Sequence, residues 1–402
     1  MFQNRIQKLK TKRFSLGEIR HWLKLIFWQQ DIAFRKKQSN AFIILAIAAG
    51  AYLLEMAVHH NGLRAFTIFT QNAITVFYGT EPVIVGNIKS SHIVSLLFAA
   101  ALFRIIFGIV VGSLDPLLHK RIKGEPFDWQ GMITVSIVNG IYLLTAIFTI
   151  ANPIFERLLE YYFHFVQGLP TIMHLNGWVA LISACLMADF CYYWSHRWSH
   201  RIRLLWCLGH VSHHRTQNLT QLTQSVDPQS PVLDVAGGRA FVLLLMPIIT
   251  QILSFDVTQS GLGLIIILLF DVWTNPSHSI VLYQAEVKWR LLKWCRVILV
   301  TPAVHYTHHS REKGHNIDCG CNFGARFTLW DRLFGTYVEP PDYIPKTGLF
   351  GESDYIRNPI RYIFHPFNRM YRELKQNHFS CWPKIIFGLT TYHPPVRVPS
   401  KY

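Results

Sequence analysis

The sequence predicts an all-α protein: an integral membrane helical bundle of about six segments, two of them a short hairpin, under a cytosolic histidine-rich metal-binding cap. Three observations carry that expectation. Half of the 402 residues are hydrophobic and only 15% are charged, against roughly 25% charged in soluble domains; the mean hydropathy is +0.21. Apolar runs recur at 41–58, 93–112, 131–152, 174–188, 235–255 and 257–270. Of the 20 histidines, eight fall into three tight clusters and a ninth lies between two of them.

A spanning helix needs roughly 20 mostly apolar residues, which 131–152 meets cleanly. Run 93–112 carries Arg104 and run 41–58 reaches Glu55, groups that at such depth face other helices or reach for the interface. Asp256 is nearly all that separates the last two runs, which read as a tight hairpin. Lysine and arginine orient the bundle. Residues 1–40 hold ten of them against two acids; the successive connections then hold two, three, one, four, none and, in 271–402, seventeen. The rich connections all fall on one side, so both termini and every histidine cluster are expected in the cytosol. No secretory signal is read, because the first apolar run starts near Ala41 behind a basic segment too long for an n-region.

The chain accordingly divides into a basic amphipathic segment 1–40, transmembrane helices 41–174, a histidine-rich domain 175–340 and a cytosolic tail 341–402. Two basic amphipathic stretches, 5–30 and 286–300, have the form of helices lying on a membrane surface; packing on their own domain is the alternative. In the second, Val287, Leu291, Trp294 and Ile298 recur at helical spacing among Lys288, Arg290, Lys293 and Arg296. The net charge of +16 does not read as nucleic-acid binding, since uncharged runs of membrane length separate the basic segments. Seven scattered cysteines without a paired C-x-x-C indicate reduced thiols, neither a zinc ribbon nor a disulfide framework.

The clusters are "WSHRWSHR" with His196 and His200, "GHVSHHR" with His210, His213 and His214, and "AVHYTHHS" with His305, His308 and His309. Histidines four apart on a helix stack on one face, ready to share a metal; in each triplet the first ring is expected on the face of the last two. Eight imidazoles exceed one zinc site, so two ions are expected, while imidazole alone leaves iron, copper, zinc and nickel open. No His-Glu-x-x-His occurs, and the single Glu-x-x-His at Glu312 and His315 reads as a loop.

These clusters in this order, with "NPSH" between and "WDRLFGTY" after, resemble the fatty acid hydroxylase / sterol desaturase superfamily over about 175–340. "DCGCNFG" is similar to the superfamily's Asp-x-Asn-Tyr-Gly, with Cys321 and Phe323 altered. The tail, with "NPIRYIFHPF" and "IIFGLTTYHPP", resembles that of the pterin-dependent alkylglycerol monooxygenases. The resemblance implies a membrane-embedded non-haem di-iron enzyme (two Fe per chain) that uses O2 to hydroxylate or desaturate a lipid, with the eight clustered histidines as ligands. The substrate would be a fatty acyl, alkylglycerol or sterol lipid, and electrons would come from a reductase, a cytochrome or a reduced pterin. A zinc-dependent membrane hydrolase and a non-enzymatic metal- or lipid-binding membrane protein are the competing readings; no glutamate base beside the clusters favours hydrolysis.

His278, in "NPSHSI", is read as a ninth ligand, with a simple turn as the alternative. Asp189, two helical turns before His196, is read as a carboxylate orienting a ligand ring, and Asp318 as its counterpart in a loop. Asp331 is expected to pair with an arginine. Tyr192, Tyr193, Trp194, Trp198 and Trp206 are placed in an interfacial aromatic belt.

Overall fold

The computed structural model describes residues 84–85, 88–89, 110–150, 153–217, 219–221, 239–256, 277–315, 319–349, 356 and 358–396. The expected segments 41–58 and 257–270, most of 93–112, the basic stretch 5–30, and Asp318 lie outside them. The described part is mostly helical. It also holds two small sheets, so the expectation of helix alone is corrected. One is an antiparallel hairpin of β1 (Ile84–Val85) and β2 (Ile88–Lys89).

Helix α1 covers 110–123, α2 Trp129–Ile150 and α3 Pro153–Gln167. Strand β3 (Met173–Asn176) leads directly into α4 (Gly177–Arg201). After α4 a short α5 (Arg203–Leu205) runs into a π-helical turn at Trp206–His210 and then α6 (Val211–His214). Wide turns of this kind recur at functional sites because they re-aim the side chains that follow. Helix α7 (Arg239–Ile252) packs along α4 and ends sooner than its apolar run, which extends to 255. Residues Leu253–Asp256 leave it as β4 and pair in parallel with β3, Asn176 opposite Asp256.

The expected helix over 286–300 is broken at Trp289 into α8 (Ile280–Lys288) and α9 (Arg290–Cys295). Val287 packs toward the core with Tyr283 and Tyr306, whereas Leu291, Trp294 and Ile298 are exposed. Helix α10 (Pro302–His308) and α11 (Leu329–Leu333) follow. Thr301 caps α10 through its side chain, a contact typically worth about 1 kcal/mol. The buried Glu286 adds a bond from the Ala303 N–H and is neutralised by Arg296 at 3.0 Å.

Beyond residue 340, α12 (Pro359–Gln376) buries Tyr362, Ile363, His365, Pro366, Met370 and Glu373 against the rest of the fold. The Tyr362 hydroxyl donates to the Ser212 carbonyl at 2.7 Å, tying this helix to the second histidine cluster. The last helix, α13 (Trp382–Phe387), packs on α12 and α5. Among the described residues no helix is long and apolar enough to cross a membrane.

Candidate metal centre

All nine histidines singled out in the sequence are gathered into two buried groups. His196, His200, His210, His214 and His308 form one; His213, His278, His305 and His309 form the other. The triplets therefore do not act as single faces, contrary to the sequence expectation. In each, the residues four apart share a group and the middle residue crosses to the other. His210 and His214 are joined by His308, and His305 and His309 are joined by His213. A helix turns by about 100° per residue, so a histidine one position from a ligand cannot face the same ion as well as one four away.

Ring nitrogens converge within each group. In the first, Nε2 of His200 lies 2.8 Å from that of His210 and 3.2 Å from that of His308, which is 3.0 Å from that of His214. In the second, Nε2 of His278 lies 2.9 Å from His305 and 3.2 Å from His309, themselves 3.2 Å apart. Nitrogens bound about 2.1 Å from a common ion would be separated by ~3.0 Å at right angles and ~3.4 Å at tetrahedral angles. The observed spacings are close enough for the nitrogens of each group to share one ion.

A loop fixes the tautomers. Nδ1 of His196 meets the Phe323 carbonyl at 2.8 Å, Nδ1 of His308 meets the Cys321 carbonyl at 2.6 Å, and His200 bonds to the backbone of Cys319. A carbonyl only accepts, so Nδ1 of His196 and of His308 carries the proton and Nε2 is left as a bare lone pair. Nε2 of His196 is buried without any hydrogen-bond partner, a costly state for a polar atom. Burial, followed by the neighbouring rings, pushes His200, His210, His214, His278, His305, His308 and His309 well below the usual histidine range. Burial likewise brings His196 down to about 3. Neutral imidazoles with inward lone pairs are the form that binds a metal ion, and these residues fit metal binding.

Residues 181–336, which contain all nine histidines, match the model of the fatty acid hydroxylase family. The chain is 31% identical over 188 residues to an alkylglycerol monooxygenase of Danio rerio and 30% identical over 193 residues to that of Homo sapiens. These matches cover 45% and 46% of this chain but only 34% and 36% of the relatives, so the similarity spans about a third of their length. Ornithine lipid hydroxylase OlsE of Rhizobium tropici is 24% identical over 213 residues, covering 53% of this chain and 55% of that protein. No solved structure matches the chain.

Several carboxylates hold the elements that carry these histidines in place without touching the rings. Asp189, expected from the sequence to orient a ligand ring, bonds to the backbone instead. Its oxygens accept from the N–H groups of Ala325, Arg326 and Phe327. Asp331 is not engaged by an arginine's hydrogen bonds either; it accepts from the N–H groups of Phe323 and Gly324, both at 2.7 Å, and from the Thr336 hydroxyl. Arg197 stands near it but donates to the Tyr193 hydroxyl. Together the two acids pin residues 323–327 of the carbonyl-bearing loop 319–327. Asn322 anchors its middle by donating to the Val304 and Val338 carbonyls.

Asp115, which the sequence reading passed over, accepts from the Gln221 and Val281 N–H groups and the Ser279 hydroxyl, fixing the turn that presents His278. The only sequence signal for Asp115 was an acid just beyond an apolar run. Glu312 and His315 lie in a turn, where His315 contacts Ser310. Tyr193 is fully buried and stacked on Phe334, so it leaves the proposed aromatic belt; Trp206 lies 5.1 Å from His200 and 5.5 Å from His214. A cavity of ≈ 680 Å³ opens beside both groups and reaches His200, His214, His308 and His309.

Proposed function

We propose that the chain is a membrane-bound, O2-dependent lipid hydroxylase holding two irons in its two histidine groups. The observation that carries this reading is the set of nine buried imidazoles divided five and four, with inward-facing nitrogens, inside a fatty acid hydroxylase domain. Alkylglycerol monooxygenase and ornithine lipid hydroxylase relatives support a lipid as substrate. Irons bound here would supply the O2-derived oxidising power that an unactivated C–H bond requires. The protein's part is to bury the imidazoles, fix the tautomers of His196 and His308 through the Phe323 and Cys321 carbonyls, and keep bulk water from the reacting carbon. In this reading electrons would come from a separate reductase, a cytochrome or a reduced pterin.

Membrane association is part of the same proposal, with six segments, both termini and the metal groups on the cytosolic side. It is supported by the apolar runs of the sequence and by outward-facing Leu117, Ile133, Ile137, Ile154 and Leu158 on α1, α2 and α3. The deciding experiment purifies the full chain in detergent and measures metal content, Mössbauer spectra and incorporation of labelled oxygen from O2. Alkylglycerols, fatty acyl lipids and sterols serve as the substrate panel. Two irons per chain and label in one of these lipids are expected. Full activity with a single metal, or hydrolysis in place of oxidation, overturns the proposal.

A further inference from the structure

Away from the histidines, the cavity beside the metal groups has a basic wall. Arg203, Arg215, Lys313 and Arg369 line it, and no aspartate or glutamate does among the described residues. Two of these cations are committed to structure. Arg203 donates to the Ile385 and Tyr392 carbonyls and pairs with Glu373. Arg215 donates to the Tyr362 carbonyl and lies 4.9 Å from the centre of its ring.

Arg369 and Lys313 are different. Arg369 reaches Glu373 only through Nε, at 3.5 Å, and its side chain stays 44% exposed. Glu373 is thus one carboxylate shared by two arginines. Lys313 is exposed on the turn after the third histidine cluster. The positive charge that remains uncompensated lies in a cavity whose floor is the metal centre. Such a cavity concentrates anions, and guanidinium and ammonium groups hold oxyanions through charge-assisted hydrogen bonds. Val211, Leu349 and Met370 supply an apolar lining beside these cations.

We propose that this cavity is an oxyanion subsite in which Arg369 and Lys313 hold a phosphate or carboxylate group next to the histidine groups. The group is borne either by the head of a single-chain lipid or by a free anion. The lipid alternative rests on the function proposed above; the subsite itself does not. A head group held here would set which carbon of an attached chain lies nearest the metals. The cations thereby act on substrate choice and take no part in the oxidation.

The test uses the full chain in detergent with three probes: inorganic phosphate, a monoalkyl glycerophosphate, and the matching uncharged monoalkylglycerol. Binding is measured by calorimetry on the wild type, Lys313→Gln/Arg369→Gln and Lys313→Arg/Arg369→Lys, without turnover. The wild type should prefer the anionic lipid by roughly tenfold, a ratio that falls below about twofold in the glutamine variant and returns in the charge-preserving one. Phosphate that binds the wild type, with no preference between the lipids, and is lost in the glutamine variant supports the subsite with a free anion as occupant. Phosphate retained in the glutamine variant lies on the histidine-bound metal, and that result overturns the proposal. So does an unchanged lipid ratio, or a wild type that neither binds phosphate nor distinguishes the lipids. Because both side chains are exposed, the single Lys313→Gln variant serves as the folding-safe check and should show part of the same loss. Loss of anion binding in a protein that oxidises no lipid would leave the subsite standing and refute the oxygenase reading.

Discussion

His214 and His309 stack face to face, with ring centroids 4.2 Å apart and planes 19° from parallel, although they belong to different histidine groups. Each is the last residue of its triplet, and each sits one residue after a histidine that crosses to the opposite group. The two triplets are interlocked, so that each contributes two rings to one group and one ring to the other. Metal loss should follow this spatial division and ignore the sequence clusters. In the full chain, His213→Ala/His309→Ala, with both changes in one group, should retain about one metal per chain. His213→Ala/His308→Ala, with one change in each group, should retain nearly none. Equal metal content in the two double variants would defeat the assignment.

The sequence made the candidate metal centre legible because histidine is rare enough that spacing alone marks it. All nine rings were found from "HRWSH", two His-x2-His-His triplets and "NPSH". It did not reveal how the triplets divide, since three residues on one turn share a face only loosely and the π-helical turn at Trp206–His210 resets the register. Supporting acids were harder still. Asp189 and Asp331 act on backbone N–H groups more than a hundred residues away or within a loop, and no side-chain pattern marks such partners. The break at Trp289 was missed because the apolar spacing continues across it in the sequence.

Asp331 should support metal binding through the 319–324 loop. Asp331→Ala leaves the buried N–H groups of Phe323 and Gly324 unpaired, a cost of about 1–3 kcal/mol each. It also loosens the carbonyls that orient His196 and His308. Iron affinity should fall by roughly 10–100-fold, as when outer hydrogen-bond partners of ligand histidines are removed, while the helix content holds. Asp189→Ala should act in the same direction through 325–327. Metal titration with circular dichroism on the same samples checks both; an Asp331→Ala protein that binds iron like the wild type argues against the orienting role.

Two glycines separate backbone strain from site damage. Gly320 has φ +136° and a Cβ there would lie 3.1 Å from the Phe323 ring and 3.2 Å from Nδ1 of His200. Gly124 has φ +78° with nothing near its missing Cβ. Gly124→Ala should cost stability by about 1–2 kcal/mol, the usual penalty for a left-handed alanine, and leave metal content intact. Gly320→Ala should cost at least as much and also release metal from the group containing His200. Thermal melts paired with metal analysis decide it, and equal metal content in the two variants contradicts the prediction.

His365 should give the protein an acid-side loss of stability. Burial first, then Arg215 and the other nearby arginines, lower it from the ordinary histidine value to about 4. Between about 4 and 6.5 the unfolded chain therefore holds a proton that the folded chain refuses. Stability rises with pH across that window and is lost as pH falls through it. His365→Gln keeps an acceptor for Arg215, which now approaches Nδ1 at 3.3 Å, and removes the titration. The metal-binding histidines contribute equally to both proteins, so the slope of melting temperature against pH from 6.5 down to 4 should be shallower in the variant. Parallel curves would show that His365 titrates alike in both states.

The surface formed by α9 and its flanks should lie in the membrane interface. Trp289, Leu291, Trp294 and Ile298 are 65%, 78%, 64% and 56% exposed, and Lys288, Arg290 and Lys293 stand among them. Leaving four large apolar side chains in water forfeits a substantial burial free energy. Each basic residue near an anionic leaflet adds about 1 kcal/mol of attraction. The break at Trp289 lets this short helix turn its apolar residues away from the core that α8 packs against. Asp342 offers a nearby reference, since it bonds to Lys293 at 2.6 Å with its own side chain 71% exposed. Spin labels at Leu291→Cys and Asp342→Cys in nanodiscs containing anionic lipid should behave differently. The first should be relaxed by O2, which concentrates in the apolar phase, and the second by a water-soluble nickel complex. If both labels respond to nickel alike, this face does not touch the bilayer.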